Sequence, residues 1–407
     1  MKHRDINSYG LAYDPNYDPN VAVHPGCGRE YAPTYWVDTA GPPPEDDGPV
    51  SSDMDVDVAI VGSGYTGLSC AIHLAKEMGL RAVVLEANRV GWGCSTRNGG
   101  QVQLSAGRLS RLEWIERWGV DVAKELHAEI LDAFDVFRNL IHSFDIDCDV
   151  QDGGHLYVAH RAKFLPKMES ESRVSNDIYG YKTRMLGRDE VHRDYVCDQE
   201  AAGAMLEPDG MSIHPAKLAF GYLAMARRLG TKVYTASPVV RSERHGKLHY
   251  LHTPGGTIRA RSVCFATAGY TSPGLHDLTK HRLMPILSNS IVTRPLSPVE
   301  REACGFKTGI PITDTRTLRH YYRGLPDGRI QIGTRSAITG ADATNKKHLD
   351  RLINGMHRKF PALRGIEIDF SWWGWVDVSH DMMPRIYQPD PTQSVFYAMG
   401  YGGNGVM

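Results

Sequence analysis

A glycine-rich turn between two apolar strand patterns constrains this chain more than any other feature of its sequence. The turn, Gly62-Ser63-Gly64-Tyr65-Thr66-Gly67, follows an apolar run at 56–61 and precedes apolar residues at helical spacing. A second apolar run at 80–85 comes next and ends at Glu86. Strand, glycine turn, helix and strand in this order predict a parallel βαβ unit.

The three glycines of the turn have separate predicted roles, which together describe a phosphate site. Gly62 permits the turn, Gly64 lets the backbone approach a pyrophosphate, and Gly67 allows the helix to pack closely on the strand. Free N–H groups and the helix dipole favour the phosphate charge at the helix N-terminus. Glu86 suits a ribose diol and would repel a 2′-phosphate, so a dinucleotide other than NADP is predicted. The alternative is a βα turn without a ligand.

Length, charge and cysteine usage limit the classes of protein to consider. At about 150 residues per domain, the chain of 407 residues predicts two or three domains. A formal net charge of −1 provides no basic field, so neither nucleic acid nor a membrane surface is an expected partner. No stretch approaches the ~20 apolar residues of a membrane span, so a cytoplasmic protein is expected. The seven cysteines form no CxxC pair, which favours reduced thiols and no metal site.

The first 52 residues form an arm before the first core strand. They are rich in Pro, Gly, Asp and Tyr, and the stretch at 41–49 has the composition of an extended polar linker. The aromatic residues Tyr31, Tyr35 and Trp36 could dock on the following domain, cover a substrate entrance or contact another subunit. Docking is the preferred interpretation.

The remainder of the chain alternates between helix and strand patterns before it changes character. Apolar spacing predicts helices at 120–144, 214–229 and 346–359. Strands are predicted at 155–159, 232–234, 247–252, 257–265 and 395–399. Alternating runs at 286–293, 317–323 and 329–334 suggest an antiparallel sheet, which indicates a second kind of domain.

The loop that follows Glu86 carries a resemblance to a known family. Its sequence is Gly91-Trp92-Gly93-Cys94-Ser95-Thr96-Arg97-Asn98-Gly99-Gly100, and Gln101 follows. Together with the helix start at 214–217 and the glycine loop at 400–405, it resembles the FAD-dependent amine and amino-acid oxidases, the glycine and sarcosine oxidase family. Amides and hydroxyls at 95–98 could hold a second phosphate and the flavin edge, which favours FAD over NAD.

The resemblance implies the fold and its division into domains. It predicts an α/β protein with a Rossmann-like FAD-binding domain of the glutathione-reductase type and an inserted α+β substrate domain built on an antiparallel sheet. The predicted FAD-binding domain comprises 53–108, 200–272 and 362–407, and the predicted substrate domain comprises 109–199 and 273–361.

The resemblance also implies a set of residues that bind non-covalent FAD. With the glycine turn and Glu86, that set is Gly62, Ser63, Gly64, Tyr65, Thr66, Gly67, Glu86, Gly93, Ser95, Thr96, Arg97, Asn98, Gly99, Val239, Ala268, Gly402, Gly403, Asn404 and Gly405. Cys94 is expected near the cofactor as an unreactive small residue rather than as a flavin attachment.

The implied reaction is the oxidation of a primary or secondary amine. Hydride passes from the substrate carbon to flavin N5, the imine is hydrolysed to an aldehyde, and O₂ is reduced to H₂O₂. A gamma-glutamylated polyamine is one candidate substrate. Such sites often lack an obligatory acid or base, so no catalytic residue is assigned.

Candidate substrate contacts are few. They are Gln101 beside the flavin loop, and Tyr321 and Arg323 on a predicted strand. Alternation places Tyr321 and Arg323 with Arg319 on one face, and His320 with Tyr322 on the other. Trp372, Trp373 and Trp375 could wall the pocket, although core packing is the preferred interpretation.

Two departures from the family pattern leave alternatives open. Family members continue from the glycine loop into a helix, whereas this chain stops at Met407. A truncated, inactive remnant of the fold is therefore one alternative. The sarcosine oxidase branch has a lysine near the flavin for which this sequence has no confident counterpart, so a dehydrogenase that uses a quinone or protein acceptor is the other.

Overall fold

Strands and short helices alternate along the chain in a computed structural model, which describes residues 17–279 and 282–407. The strands, in chain order, are β1 (Met54–Val61), β2 (Ala82–Leu85), β3 (Gln101–Gln103), β4 (Gln151–Asp152), β5 (His155–Ala159), β6 (Arg184–Gly187), β7 (Gly203–Glu207), β8 (Gly210–Ser212), β9 (Lys232–Tyr234), β10 (Arg241–His245), β11 (Leu248–Thr253), β12 (Gly256–Phe265), β13 (Met284–Thr293), β14 (Ile312–Asp314), β15 (Tyr321–Gly324), β16 (Ile330–Arg335), β17 (Ile368–Val378), β18 (Arg385–Tyr387) and β19 (Val395–Met399). The α-helices are α1 (Tyr35–Thr39), α2 (Tyr65–Met78), α3 (Arg111–Ser143), α4 (Leu165–Tyr179), α5 (Arg188–Asp194), α6 (Pro215–Arg228), α7 (Pro298–Cys304) and α8 (Lys346–Lys359).

The first sheet contains the predicted βαβ unit. Its central strands run parallel in the order β12-β1-β2-β9, and α2 connects β1 to β2. Gly79 ends α2 in a left-handed conformation with φ 66°, where the helical pattern placed a C-terminus. β10, β11 and β12 form an antiparallel meander, and β19 pairs in parallel with β12. The predicted α/β fold with a parallel nucleotide-binding sheet is confirmed.

The second sheet has the order β17-β13-β16-β15-β14-β5-β7-β6, and only β14 and β5 pair in parallel. The predicted antiparallel sheet is therefore confirmed. Two of its strands, β7 and β17, come from ranges that the domain division assigned to the FAD-binding domain. They lie in the second sheet because their backbone partners are β5, β6 and β13. The domain boundaries themselves stay a prediction.

Several elements differ from the sequence prediction for local reasons. The strand predicted at 317–323 is reduced to β15, because the Asp314 carboxylate accepts hydrogen bonds from the backbone N–H groups of Arg316 and His320. α3 begins nine residues before the predicted helix, at a capping box between Ser110 and Glu113. Gly119, with φ 82°, interrupts α3, so the residues that follow it form the helix predicted at 120–144.

The described part of the arm, residues 17–52, docks on the body of the protein, as the preferred interpretation held. Tyr31 donates a hydrogen bond to the Val90 carbonyl, and Trp36, which is 1% exposed, donates one to the Asn98 carbonyl. Tyr35 reaches the second sheet through Asp327. Within the described ranges, no helix combines the length and apolar character needed to cross a membrane.

Candidate functional site

The glycine turn between β1 and α2 forms one wall of a large cavity, here called the first cavity. Gly62 has φ 106°, and a Cβ there would lie 2.6 Å from the Ala266 carbonyl oxygen at the end of β12. A Cβ at Gly67 would collide with the carbonyl oxygen of Gly62. Gly64 lines the cavity at the N-cap of α2. The backbone thus approaches the cavity as a dinucleotide cradle requires.

Glu86 directly follows β2, beside this cradle. Its carboxylate accepts hydrogen bonds from the Ser63 N–H at 3.0 Å, the Ser63 hydroxyl at 2.7 Å and the Asn88 N–H at 3.0 Å. Burial raises the pKa of this carboxyl above its usual range. Glu86 lines the first cavity, whereas Ser63 holds Glu86 from behind. The acid is therefore oriented at the position predicted for the ribose.

The loop at 91–100 is folded by its own side chains. The Ser95 hydroxyl accepts from the first N–H of α2, that of Tyr65, at 3.0 Å. The Asn98 amide donates to the Cys94 and Ser95 carbonyls, and the Arg97 guanidinium stacks 4.4 Å from the Trp92 ring centroid. These contacts tie the loop to the N-terminus of α2, where phosphate charge is favoured.

The lining of the first cavity connects the positions predicted for the two ends of an FAD molecule. Its empty volume is about 1190 Å³, counting the space that opens to solvent. It extends from Glu86 along the glycine turn to Cys94 and Asn98. The predicted FAD residues that line it are Gly62, Gly64, Tyr65, Thr66, Glu86, Gly93, Ser95, Asn98, Val239, Ala268, Gly403 and Gly405.

The other residues predicted to bind FAD lie elsewhere. Arg97, Gly99 and Asn404 line a neighbouring cavity. Ser63, Gly67, Thr96 and Gly402 line neither of the two. Thr96 donates its hydroxyl to the Gly91 carbonyl inside the loop, and the Gly402 carbonyl accepts from Arg335. The binding roles of the whole set stay a prediction.

The neighbouring cavity, here called the second cavity, adjoins the end of the first that the loop at 91–100 lines. The two share five lining residues, which are Cys94, Asn98, Val376, Gly403 and Val406. The second cavity has an empty volume of about 900 Å³, including open solvent, and the second sheet supplies Ser288, Thr313, Tyr321 and Arg335 to its wall. A molecule in this cavity lies next to the flavin-binding loop.

Arginines give the second cavity a positive potential. Arg97, Arg108, Arg319 and Arg335 line it, and its described lining contains no Asp or Glu. Burial and the neighbouring guanidinium groups of Arg335 and Arg319 lower the pKa of Arg108 to about 9. Burial and Arg319 likewise lower the pKa of Arg335 to about 10. The Arg319 Nε is buried without a hydrogen-bond partner among the described residues. Such an arrangement favours an anionic ligand.

Two of the three predicted substrate contacts line this cavity. Tyr321 lies against Gly99, where a Cβ would come within 2.8 Å of its ring, and its hydroxyl lies 2.9 Å from the hydroxyls of Ser288 and Ser290. Burial raises the pKa of Tyr321. Gln101 also lines the cavity, and its Oε1 accepts from Gln103 at 2.8 Å.

The third predicted contact, Arg323, lies outside the lining of both cavities. Its Nη2 donates to the Ile213 carbonyl at 2.7 Å, and its guanidinium lies 5.0 Å from the Trp36 ring centroid. Arg323 and Tyr321 both approach the loop at 91–100, as expected for two residues on the same face of a strand. Arg323, however, lies against Gly100 and not in either cavity. Trp372, Trp373 and Trp375 are buried outside both linings, as core packing predicted.

Sequence reasoning missed several residues of the two cavities. Arg108 and Arg335 lie in the second, and Tyr270, Asp377 and Tyr401 lie in the first. Arg335 directly follows the strand predicted at 329–334, and Tyr401 lies within the predicted glycine loop, so proximity to those motifs was an available signal. Arg108 follows β3 in a region without any motif. Only its position in the folded chain brings it to the cavity.

Comparisons with known proteins agree with this geometry. The family model described as DAO, FAD dependent oxidoreductase, matches residues 57–407. Gamma-glutamylputrescine oxidoreductase of Escherichia coli is 32% identical over 365 residues, covering 88% of this chain and 82% of that protein. Glycine oxidase of Bacillus subtilis is 20% identical over 354 residues, covering 86% and 89%. A crystal structure of glycine oxidase from Geobacillus kaustophilus has a TM-score of 0.73 at 20% identity, covering 86% of this chain and 90% of that one.

Proposed function

Because the chain belongs to the family of FAD-dependent oxidoreductases, we propose that it oxidises a primary or secondary amine that carries a carboxylate. The observation that carries this proposal is the second cavity, where Arg108, Arg319 and Arg335 face a space without a described acid. The product is an imine, which water hydrolyses to a carbonyl compound. When bound, FAD supplies the two-electron acceptor for the hydride that leaves the carbon beside nitrogen.

The residues of the chain bind and orient the two molecules. The glycine turn, Glu86 and the loop at 91–100 hold the cofactor, with the pyrophosphate at the N-terminus of α2. In the second cavity, the arginines bind the substrate carboxylate through charge-assisted hydrogen bonds. The same positive charges disfavour a bound ammonium, so they promote the neutral amine from which hydride transfer is possible.

The relatives support a substrate that combines an amine with a carboxylate. Gamma-glutamylputrescine and glycine, which appear in the names of two relatives, each carry both groups. The relative named for gamma-glutamylputrescine is the more similar of these two, at 32% identity against 20%. Gamma-glutamylputrescine is therefore the first substrate to test.

The cofactor is held without a covalent bond in this proposal. Cys94 lies between the two cavities, but burial raises the pKa of its thiol to about 12, and the thiol donates to the Trp375 carbonyl. A thiol in that state is a poor nucleophile. Acid precipitation of the protein should release all of the yellow colour into the supernatant.

The seven free thiols, with Cys27 exposed, are consistent with a reducing compartment, and we place the protein in the cytoplasm.

The test of the proposal is anaerobic reduction of the flavin by a panel of amines, followed by visible absorption. Gamma-glutamylputrescine and putrescine form a matched pair, because they differ by the group that carries the carboxylate. We expect the first to bleach the flavin and the second to do so far more weakly. Equal bleaching by both would contradict the role of the carboxylate. If the protein binds FAD but no amine bleaches the flavin, amine oxidation is contradicted. If the protein stays colourless with added FAD, the alternative of an inactive protein with the same fold is favoured.

The electron acceptor is a separate part of the proposal. We infer that O₂ takes the two electrons and gives H₂O₂, with a quinone or protein acceptor as the alternative. Turnover in air, followed by peroxide formation, is compared with turnover in the presence of an artificial electron acceptor. Turnover that depends on the artificial acceptor would show a dehydrogenase instead.

A further inference from the structure

Three hydrogen-bonded side chains lead from the second cavity into the second sheet. The Thr313 Oγ1 lies 2.8 Å from the His155 Nε2, and the His155 Nδ1 lies 2.7 Å from the Glu207 Oε2. Thr313 lines the second cavity. His155 and Glu207 line an adjoining cavity, here called the outer cavity, which shares Gln103, Arg108, Arg319 and Asn404 with the second. The three side chains thus connect the two spaces.

Neighbouring strands fix this arrangement. His155 on β5 pairs directly with Glu207 on β7, and Thr313 on β14 pairs with Tyr157, two residues along β5 on the same face. His155 is 4% exposed and Thr313 is 2% exposed. The other Glu207 oxygen accepts from the Arg111 Nη1 at 2.8 Å. Each group is therefore held in one orientation.

The charge of Glu207 sets the direction of the hydrogen bonds. Burial alone would raise its pKa, but the hydrogen bond from His155 and the charge of Arg111 bring it to about 2. An ionised carboxylate only accepts, so the His155 Nδ1 donates to it. The neutral imidazole then accepts the Thr313 O–H at Nε2. The Thr313 oxygen keeps its lone pairs for a donor in the second cavity.

We propose that Thr313 and His155 accept the proton that the bound ammonium substrate loses before oxidation, with Glu207 stabilising the resulting imidazolium. The inference rests on the proposed function. An N–H bond of the ammonium breaks, its proton passes to the Thr313 oxygen, and the proton of Thr313 passes to His155 Nε2. No electron is transferred in this step, and the amine regains its lone pair. The His155 imidazolium then loses one proton to water in the outer cavity, which His155 lines, and becomes neutral again.

Charged and titratable groups surround His155. Glu207 is its hydrogen-bond partner and also accepts from Arg111. Arg108 and Arg319, which are proposed to bind the substrate carboxylate, line both the second and the outer cavity. Tyr157 stacks beside the imidazole and His127 contacts Arg111. The other charged residues that line the outer cavity are Glu113, Lys167 and Glu171.

A second histidine–threonine pair serves as a matched control. The His160 Nδ1 lies 2.7 Å from the Thr315 Oγ1, just beyond the ends of the same two strands, β5 and β14. Neither residue lines the first, second or outer cavity. Removal of this pair changes a similar hydrogen bond without any change to the proposed proton path.

The experiment measures anaerobic flavin reduction as a function of pH in the FAD-loaded protein. The variants are Thr313→Val, Thr313→Ser and His155→Asn, with Thr315→Val as the control. Near neutral pH, Thr313→Val and His155→Asn should be slower than the wild type by about 10²-fold, the size of a general-base contribution. The deficit should shrink as the pH approaches about 10, where an alkylamine loses its proton in water. Thr313→Ser should recover most of the rate.

The outcomes separate a proton path from a structural network. A deficit of the same size at every pH, or no recovery in Thr313→Ser, would overturn the proposal, as would an equal deficit in Thr315→Val. FAD content and melting temperature show whether each variant folds. If His155→Asn does not fold, the comparison of Thr313→Val with Thr313→Ser still tests the proposal. A wild-type flavin that no amine reduces would overturn the proposed function as well, and that result is seen before any variant is compared.

Discussion

A single atom at Gly67 decides whether α2 can pack on β1. A Cβ there would collide with the Gly62 carbonyl oxygen, so Gly67→Ala should separate the helix from the strand and distort the pyrophosphate cradle. We expect a loss of about 1–3 kcal/mol in the free energy of unfolding, the usual cost of overpacking, and loss of bound FAD. Thermal unfolding and the visible spectrum measure the two effects. The control is Gly274→Ala, where a Cβ would meet no atom within 4 Å.

At Arg319, the effect of a substitution should depend on the substrate. Arg319→Gln removes a cation whose Nε has no partner among the described residues. A hydrogen bond to a charged group contributes about 1.5–3 kcal/mol, so affinity for a carboxylate substrate should fall about ten- to a hundredfold. Binding of putrescine should change little. The surface variant Arg261→Gln is the control, and equal losses for both amines would contradict a carboxylate contact.

At the scale of elements, the arm and β17 hold the flavin-binding loop from behind. Three successive carbonyl oxygens of the loop accept hydrogen bonds from outside it. Thr34 donates to Thr96, Trp372 to Arg97 and Trp36 to Asn98. The arm therefore has a structural link to the loop that is proposed to bind the cofactor, although the arm lies before the nucleotide-binding unit in the sequence.

Trp36→Phe tests this link. The substitution keeps an aromatic ring but leaves the Asn98 carbonyl without its partner, which costs about 1–3 kcal/mol in a buried setting. FAD affinity should fall by about tenfold or more, because the loop loses part of its fixed conformation. Titration of the apoprotein with FAD measures the change. Trp118→Phe, on a ring that is 37% exposed, should leave the affinity unchanged.

The elements also show where local sequence determines structure. β5, β9, α8 and β19 have their predicted bounds, because apolar spacing and flanking turn residues agree there. β10 was not predicted, since its sequence, Arg241-Ser242-Glu243-Arg244-His245, has no apolar alternation. Its pairing with β11 forms it instead. β15 is shorter than predicted for a different reason. The Asp314 carboxylate accepts a hydrogen bond from the backbone N–H of His320, which a longer strand would use for pairing.

At the scale of the whole molecule, buried neutral histidines should make stability depend on pH. Burial lowers the pKa of His127 and of His214 to about 4, and that of His320 to about 3, from 6.5. In each case the unfolded chain takes up a proton at a higher pH than the folded protein does. Stability is therefore complete above pH 6.5 and is lost as the pH falls from there toward about 4 and 3.

We expect the melting temperature to fall by several degrees between pH 7 and pH 5. His320→Gln should reduce this slope, because it removes one of the three groups, whereas the exposed His245→Gln should leave it unchanged. Differential scanning calorimetry across this range measures both. A melting temperature that is flat in the wild type would contradict the prediction.

The sequence by itself determined the nucleotide-binding unit, because its signals are local. The glycine spacing, the helical pattern and Glu86 lie within about 30 residues, the length of a βαβ unit, and backbone geometry alone relates them. The tertiary structure decided the substrate cavity. Arg108 is far from Arg319 and Arg335 in the sequence, and Thr313, His155 and Glu207 come from three separate strands. Alternation gives the face of a side chain, as for Arg323, but only packing decides which space that side chain reaches.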